Sequence, residues 1–491
     1  MSNRASMVVA AILATFFSFV ALCASAATKP NIIVIVGDDM GYADVGVHGC
    51  KDIPTPHLDS IAAAGVRCTN GYDSAPYCSP TRAGLLTGRY QTRFGHEMNP
   101  GGGKKKAGAV AVGSKEKEEG AESSGPDGLP LSETTIADRF KAAGYATGLV
   151  GKWHLGSAPQ FQPPQRGFQD FFGFLGGMHG YFPDARPLML RGAQPYEEKE
   201  YLTDAFGREA VSFIDRHADQ PFFLYLAFNA VHTPMDATDA RLEKFKKIPE
   251  GPRRTYAAMM SAMDDNVGKV LAELKAKNLE SNTLVFFISD NGGPTMKGTT
   301  INASRNDPLR GSKRTTLEGG IRVPFFVKWP GHVPVGKVYD EPVIQLDILP
   351  TALTAAGVDV STDKKLDGKD LLPYFTGKES SGPHDTLYWR FGPQMAIRRG
   401  DWKLVRYDPV ADDLKGTATP AKLYNLKDDI GETQDLILAQ PAKAKELQAA
   451  WDKWNEENVA PLWGNAVVMK KAAAAGQGKG AARRAKQAAG G

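Results

Sequence analysis

The chain has 491 residues, 42% of them hydrophobic, with 59 basic and 55 acidic side chains and a formal charge of +4. That length allows two domains, or one large domain with an appendage, and the composition is that of an ordinary soluble globular protein. The net charge comes from one end: Lys470, Lys471, Lys479, Arg483, Arg484 and Lys486 stand in a tail without an acid, so the body is near neutral and a specific nucleic-acid partner is excluded as the main role.

In chain order, Met7 to Cys23 is an apolar run behind Arg4, followed by Ala24-Ser25-Ala26-Ala27. Residues 1–27 read as a secretory signal, implying export to a periplasm or the exterior, without stable membrane insertion. Cys50, Cys68 and Cys78 remain after cleavage. Cys50 and Cys68 are either a disulfide or two buried thiols.

Asn31 to Gly37 is a continuous β-branched, apolar run that predicts a strand buried on both faces, and it leads into Asp38-Asp39. Cys78-Ser79-Pro80-Thr81-Arg82 predicts a short helix, with Ser79 as N-cap, Pro80 at the first helical position and Gly88 as the stop. This places Cys78 at a helix mouth that favours an anion, with Arg82 one turn on. Residues 101–130 are Gly-, Lys- and Glu-rich and predict a flexible insertion. Leu131–Ala143 and Tyr256–Lys277 predict amphipathic helices. Gly148–Gly151 leads to Lys152-Trp153-His154, Phe222–Phe228 predicts a strand leading to Asn229 and His232, and Thr283–Ser289 predicts one leading to Asp290-Asn291.

Past residue 375 the chain changes character. Short strand-like runs at 386–390, 395–398, 402–406 and 422–426 precede a helix over Lys443–Glu457, whose Leu447, Trp451 and Trp454 form a core stripe. The predicted fold is α/β: a large, mostly parallel or mixed central sheet covered by helices on both faces, with a smaller C-terminal antiparallel sheet plus helix. The predicted division is 28–375, 376–468 and a disordered basic tail at 469–491.

Ligands bind outside the carboxyl ends of parallel strands. Four such ends carrying Asp, Asn, Lys and His therefore predict one polar site. Asp38, Asp39, Asp290 and Asn291 offer oxygen only, which suits Ca²⁺ or Mg²⁺ rather than zinc.

The run Cys78 to Arg89 meets every fixed position of C-x-P-x-R-x-x-L-x-T-G and so resembles the formylglycine-dependent sulfatases. The resemblance covers nearly the whole mature chain. It includes Gly151-Lys152-Trp153-His154-Leu155-Gly156, Val231-His232-Thr233-Pro234, Gly311-Ser312-Lys313 and Glu318-Gly319-Gly320-Ile321-Arg322-Val323-Pro324. Leu317, where an aromatic residue is usual, and the 101–130 insertion are departures.

What the resemblance implies is a sulfuric ester hydrolase in which a maturation enzyme converts Cys78 to formylglycine. One Ca²⁺ would be held by Asp38, Asp39, Cys78, Asp290 and Asn291, and Cys78, Arg82, Lys152, His154, His232 and Lys313 would be catalytic. A phosphatase or phosphonate monoesterase on the same fold, or an unconverted glycan-binding protein, are the alternatives. Gly167-Phe168 through Tyr181 and Arg93-Phe94-Gly95-His96 look most like glycan sulfatases, including N-acetylgalactosamine-6-sulfatase types. The implied substrate is a sulfated carbohydrate, read by rim candidates His96, His179, Tyr181, Arg186, Arg191 and Trp389-Arg390.

Overall fold

The computed structural model describes residues 29–100, 127–297, 299–360, 365–409 and 418–464. The predicted signal at 1–27, nearly all of the predicted insertion at 101–130 and the basic tail at 469–491 lie outside these residues. No helix among the described residues is long and apolar enough to cross a membrane.

The strands are β1 (Asn31–Gly37), β2 (Val66–Cys68), β3 (Gly71–Tyr72), β4 (Ala146–Lys152), β5 (Asp170–Phe174), β6 (Met189–Arg191), β7 (Gln194–Tyr196), β8 (Phe222–Ala227), β9 (Thr283–Ser289), β10 (Phe325–Lys328), β11 (Lys337–Tyr339), β12 (Val343–Ile344), β13 (Thr386–Phe391), β14 (Gln394–Arg399), β15 (Trp402–Arg406) and β16 (Lys422–Asn425). The helices that cover them are α1 (Pro56–Ala63), α2 (Cys78–Thr87), α3 (Ile136–Ala142), α4 (Leu202–Arg216), α5 (Pro252–Ala276), α6 (Ile348–Ala355) and α7 (Pro441–Asn455).

β1 is buried along its whole length because it lies between two parallel partners, with Ile33 opposite Leu224 on β8 and Val285 on β9. Its alternate side chains enter two cores. Ile33 and Ile35 share one with Phe206 and Phe213 of α4 and Met259 and Met263 of α5. Ile32, Val34 and Val36 share the other with Leu85 and Leu86 of α2, Phe140 of α3 and Leu349 of α6. Each such aliphatic side chain contributes roughly 1.5–3 kcal/mol by leaving water, so the strand with the strongest sequence signal also centres the fold.

The main sheet has ten strands in the order β11-β2-β10-β9-β1-β8-β4-β5-β6-β7. Its middle, from β9 to β5, is parallel, while β10 runs antiparallel to both β9 and β2, and β6 and β7 add an antiparallel edge. β3 and β12 pair separately. The last four strands form an antiparallel sheet in chain order. α7 packs on β14 and β15, with Trp451 and Trp454 in their shared core as the stripe predicted. Wholly buried Lys403 of β15 ties this sheet to the rest of the chain, lying 2.8 Å from Glu318 and 2.9 Å from Glu432.

The starts of α3 and α2 differ from the sequence reading for local reasons. α3 begins at Ile136 rather than near Leu131, because Thr135 and Asp138 close a capping box: the Asp138 N–H donates to Thr135 Oγ1 at 3.1 Å and the Thr135 N–H to Asp138 Oδ2 at 2.9 Å. α2 begins at Cys78, with extended Tyr77 as its cap residue. Ser79 therefore sits inside the first turn, and its hydroxyl donates to the His154 carbonyl at 2.6 Å instead of capping the helix. Gly88 stops α2 as predicted, at φ +65°. The three described cysteines are free thiols. Cys68 faces the α2 side of the sheet and Cys50 packs against the α4–α5 side, so no disulfide joins them.

Candidate active site

Four adjacent parallel strands, β9, β1, β8 and β4, deliver their following residues to one edge of the sheet. β1 ends in Asp38-Asp39, β9 in Asp290-Asn291, β8 leads to His232, and the last residue of β4 is Lys152. A glycine is needed just before that lysine. Gly151 stands at φ +116°, and a Cβ there would lie 1.9 Å from the Ala227 carbonyl oxygen of β8. α2 brings Cys78 and Arg82 to the same edge, and the loop before the Glu318 turn brings Lys313.

Each carboxylate has its own cation. Lys152 Nζ lies 2.6 Å from Asp38 Oδ2, Lys313 Nζ lies 2.8 Å from Asp39 Oδ2, and Arg82 donates from Nε and Nη2 to Asp290 Oδ2 at 3.0 and 2.8 Å. All six side chains are buried, and three carboxylates balance three cations when every group is charged. Cys78 Sγ stands 3.8 Å from Asp38 Oδ1 and 4.0 Å from Asp39 Oδ1. His232 Nδ1 meets the Thr233 carbonyl at 2.5 Å, which leaves Nε2 as the acceptor, 3.5 Å from Lys313 Nζ.

Burial dominates the proton affinities. It pushes Asp38 up to about 7, aided by Asp290 and opposed by Lys152 and Arg82. Burial would raise Asp39 as well, but Lys313, His232 and Lys152 hold it well below the usual carboxylate range. Burial pushes the Cys78 thiol up to about 12 in spite of Lys152 and Lys313, so an unaltered thiol here is protonated and a poor nucleophile. Burial lowers His232 to about 3 and keeps His154 uncharged, with Lys152 and Arg82 acting in the same direction on His154.

Asp38, Asp39, Cys78 and His232 present metal-ligating atoms within 4.8 Å of one another. Asp290 is turned toward Arg82, and its Oδ1 accepts the Asp39 N–H at 3.2 Å. Asn291 Nδ2 donates to Asp39 Oδ1 at 2.7 Å, while its own Oδ1 is buried without a partner among the described residues. Anionic and amide oxygens with one orphaned acceptor fit a hard divalent cation.

All the predicted site residues thus converge. Two that sequence reasoning missed join them: Thr300 Oγ1 lies 3.3 Å from Asp39 Oδ2 and 3.4 Å from Lys313 Nζ, and Asn302 Nδ2 donates to the Asp39 carbonyl at 3.0 Å. Neither carries a motif that would have marked it. The predicted rim largely fails. Tyr181, Trp389, Arg390 and His96 are buried. Tyr181 donates to the Asn229 carbonyl at 2.6 Å, Arg390 pairs with Glu97 at 2.7 Å, and His179 meets the carbonyls of Gly180 and Pro187. Arg191 is exposed but paired with Glu209 at 2.7 Å, leaving Arg186 as the predicted rim residue that is exposed and outside an ion pair among those described.

A mixed α/β sheet whose strand ends gather a buried carboxylate–cation cluster around a cysteine at a helix start suits a hydrolase of anionic esters. Residues 30–358 match the family model described as Sulfatase, and residues 311–457 match N-sulphoglucosamine sulphohydrolase, C-terminal. The chain belongs to the sulfatase family, and it is a sulfatase enzyme. It is similar to N-acetylgalactosamine-6-sulfatase of Sus scrofa, 35% identical over 392 residues that span 76% of this chain and 71% of the relative. Arylsulfatase A of Bos taurus is 32% identical over 461 residues, 84% of each chain. Among solved structures, Ps i-CgsB superposes with a TM-score of 0.80 at 35% identity, covering 92% of this chain and 98% of that one. Its complex with k-i-k-neocarrahexaose gives 0.79 at 34% identity with the same coverage.

Proposed function

We propose that this sulfatase removes sulfate from a carbohydrate, with Cys78 in its formylglycine form and one Ca²⁺ held by Asp38, Asp39, position 78, Asp290 and Asn291. Together those two groups supply an aldehyde-hydrate nucleophile in place of the thiol and a Lewis acid beside the ester. The remaining work belongs to side chains of this chain. Arg82, Lys152 and Lys313 offset the charge of the sulfate group in a buried setting where fixed charges act strongly. Asp290 accepts a proton from position 78. The departing sugar oxygen needs a proton, and of the two candidates beside it Lys313 carries one while neutral His232 orients it. His154, held uncharged, is an acceptor when sulfate leaves.

The observation that carries this reading is the pairing of three buried cations with three carboxylates around Cys78, in a chain whose family is established. The carbohydrate assignment draws support from relatives described as an N-acetylgalactosamine-6-sulfatase and as a complex with neocarrahexaose. Export directed by residues 1–27, and a division at about residue 375, belong to the same proposal.

The test is sulfate release by protein made with and without a formylglycine-generating enzyme, on a panel of sulfated glycans, an aryl sulfate and a phosphate ester. Turnover of a glycan by the matured protein alone is expected. Preference for the phosphate ester, or for a lipid sulfate over every glycan, overturns the assignment.

A further inference from the structure

The imidazole of His154 is held by its backbone. Nδ1 is buried without a hydrogen-bond partner among the described residues. The ring lies over Gly177, where a Cβ would come within 2.6 Å of Nε2. His154 itself stands at φ +58°, a left-handed conformation that costs a non-glycine residue about 1 kcal/mol or more. Where the ring points therefore depends on what fixes that strained peptide. The His154 N–H donates to the Leu175 carbonyl at 3.1 Å, and its carbonyl accepts the Ser79 hydroxyl at 2.6 Å.

Ser79 has one hydroxyl proton. The His154 carbonyl can only accept, so that proton belongs to it. His96 Nε2, 2.7 Å from Ser79 Oγ, must then be the donor into Ser79. The direction of the chain is settled: His96 to Ser79 to His154. Ser79 and His96 are both wholly buried. The His96 ring is met edge-on by Trp463, with centroids 4.8 Å apart, and Trp463 is fastened through Nε1 to the Met98 carbonyl at 2.9 Å. A Ser–His pair next to the reactive position looks like a nucleophile and its base. Here the hydroxyl is already donated to a carbonyl and closed off from solvent.

We propose that Ser79 and His96 are positioning residues: His96 orients the Ser79 hydroxyl, and Ser79 locks the strained carbonyl of His154 so that its imidazole points into the pocket. The inference rests on the reading of His154 as the proton acceptor in sulfate release.

The experiment compares Ser79→Ala, Ser79→Thr, His96→Phe and His96→Gln in the full chain, with conversion of Cys78 measured by peptide mass and rates normalised to the converted fraction. Ser79→Ala and His96→Phe should each lower kcat on a small aryl sulfate about 10- to 100-fold, with KM changed less than about 3-fold. Ser79→Thr and His96→Gln, which keep the hydroxyl and the N–H, should recover most of the loss. Because the residues act in series, the double variant Ser79→Ala/His96→Phe should be no worse than the poorer single one. A crystal structure of the Ser79→Ala variant should show the His154 ring displaced. Unchanged kcat at equal conversion, or an unmoved ring, overturns the proposal. Failure of the matured wild-type protein to turn over any sulfate ester would instead count against the functional reading, and the ring position would still decide the positioning role.

Discussion

Lys152 Nζ lies 2.6 Å from Asp38 Oδ2, with both side chains wholly buried. The aspartate sits at the end of one central strand and the lysine at the end of another, so the pair records the convergence of strand ends that makes the site. Neither charge could remain there alone. Replacing Lys152 with Met should lower kcat/KM by at least about 100-fold and destabilise the fold by about 3 kcal/mol, because it takes the nearest cation from a buried carboxylate and leaves only Arg82 Nη2, 3.8 Å away, beside it. Kinetics and urea titration measure the two effects separately, and a stable, active variant would show that Asp38 does not depend on Lys152 for its charge.

Removing metal should cost both rate and stability. Asp38, Asp39, Asp290 and Asn291 are shared by β1 and β9, so a bound cation ties the two strand ends and stabilises only the folded state. Strong chelation should lower the melting temperature by several degrees and Ca²⁺ should restore it, also in the Cys78→Ala variant if four oxygen ligands suffice. An unchanged melting curve in the wild-type protein would argue against a cation at these residues.

Acid should weaken the fold through histidines that it keeps neutral. Burial lowers His96 from 6.5 to about 3 and His48 from 6.5 to about 4. Unfolded, both take up protons near 6.5, so unfolding consumes protons below that pH. The stability they contribute is complete above 6.5 and is lost as the pH falls toward about 4 and about 3. Melting temperature should decline through that window, and replacing His96 by Gln should flatten part of the slope.

Gly177→Ala should impair turnover without unfolding the protein. The added Cβ would meet the far end of the His154 ring at 2.6 Å, not a backbone atom. The ring gives way, and kcat falls about 10- to 100-fold at nearly constant melting temperature. A variant with full activity would place the His154 ring outside the reaction path.

Lys403→Ala should cost stability first. It leaves Glu318 and Glu432 facing each other without their shared cation, at a cost of about 3–5 kcal/mol. Denaturant titration should show the loss, and a smaller deficit in Lys403→Met/Glu432→Gln would show that the charge, rather than the packing, is responsible.

The parts of this molecule that could be read from sequence are those where one short segment carries its own physical reason. β1 announces itself by an unbroken aliphatic run followed by two aspartates, and Cys78 to Gly88 by a motif whose every position has a job. The three-residue strands β2 and β11 carry no such signal, because their apolar content is too small to separate them from loops. Ser79 failed as a cap because a carbonyl from the β4 end, far away in sequence, competes for its hydroxyl. Tyr181 and Trp389 failed as rim residues for a similar reason. Aromatics suited to sugars are equally suited to a core, and only the packed structure tells which they joined.

Cys78 is 1% exposed, the helix it begins is buried throughout, and residues from the far half of the chain, Asp290 and Lys313 among them, close the pocket around it. In the folded molecule that sulfur offers almost no surface to an enzyme that would convert it. Any conversion has to happen while the chain is still open, and folding then seals the outcome. On the proposed conversion of Cys78, the active fraction of a preparation would be set at synthesis, by a race between modification and folding.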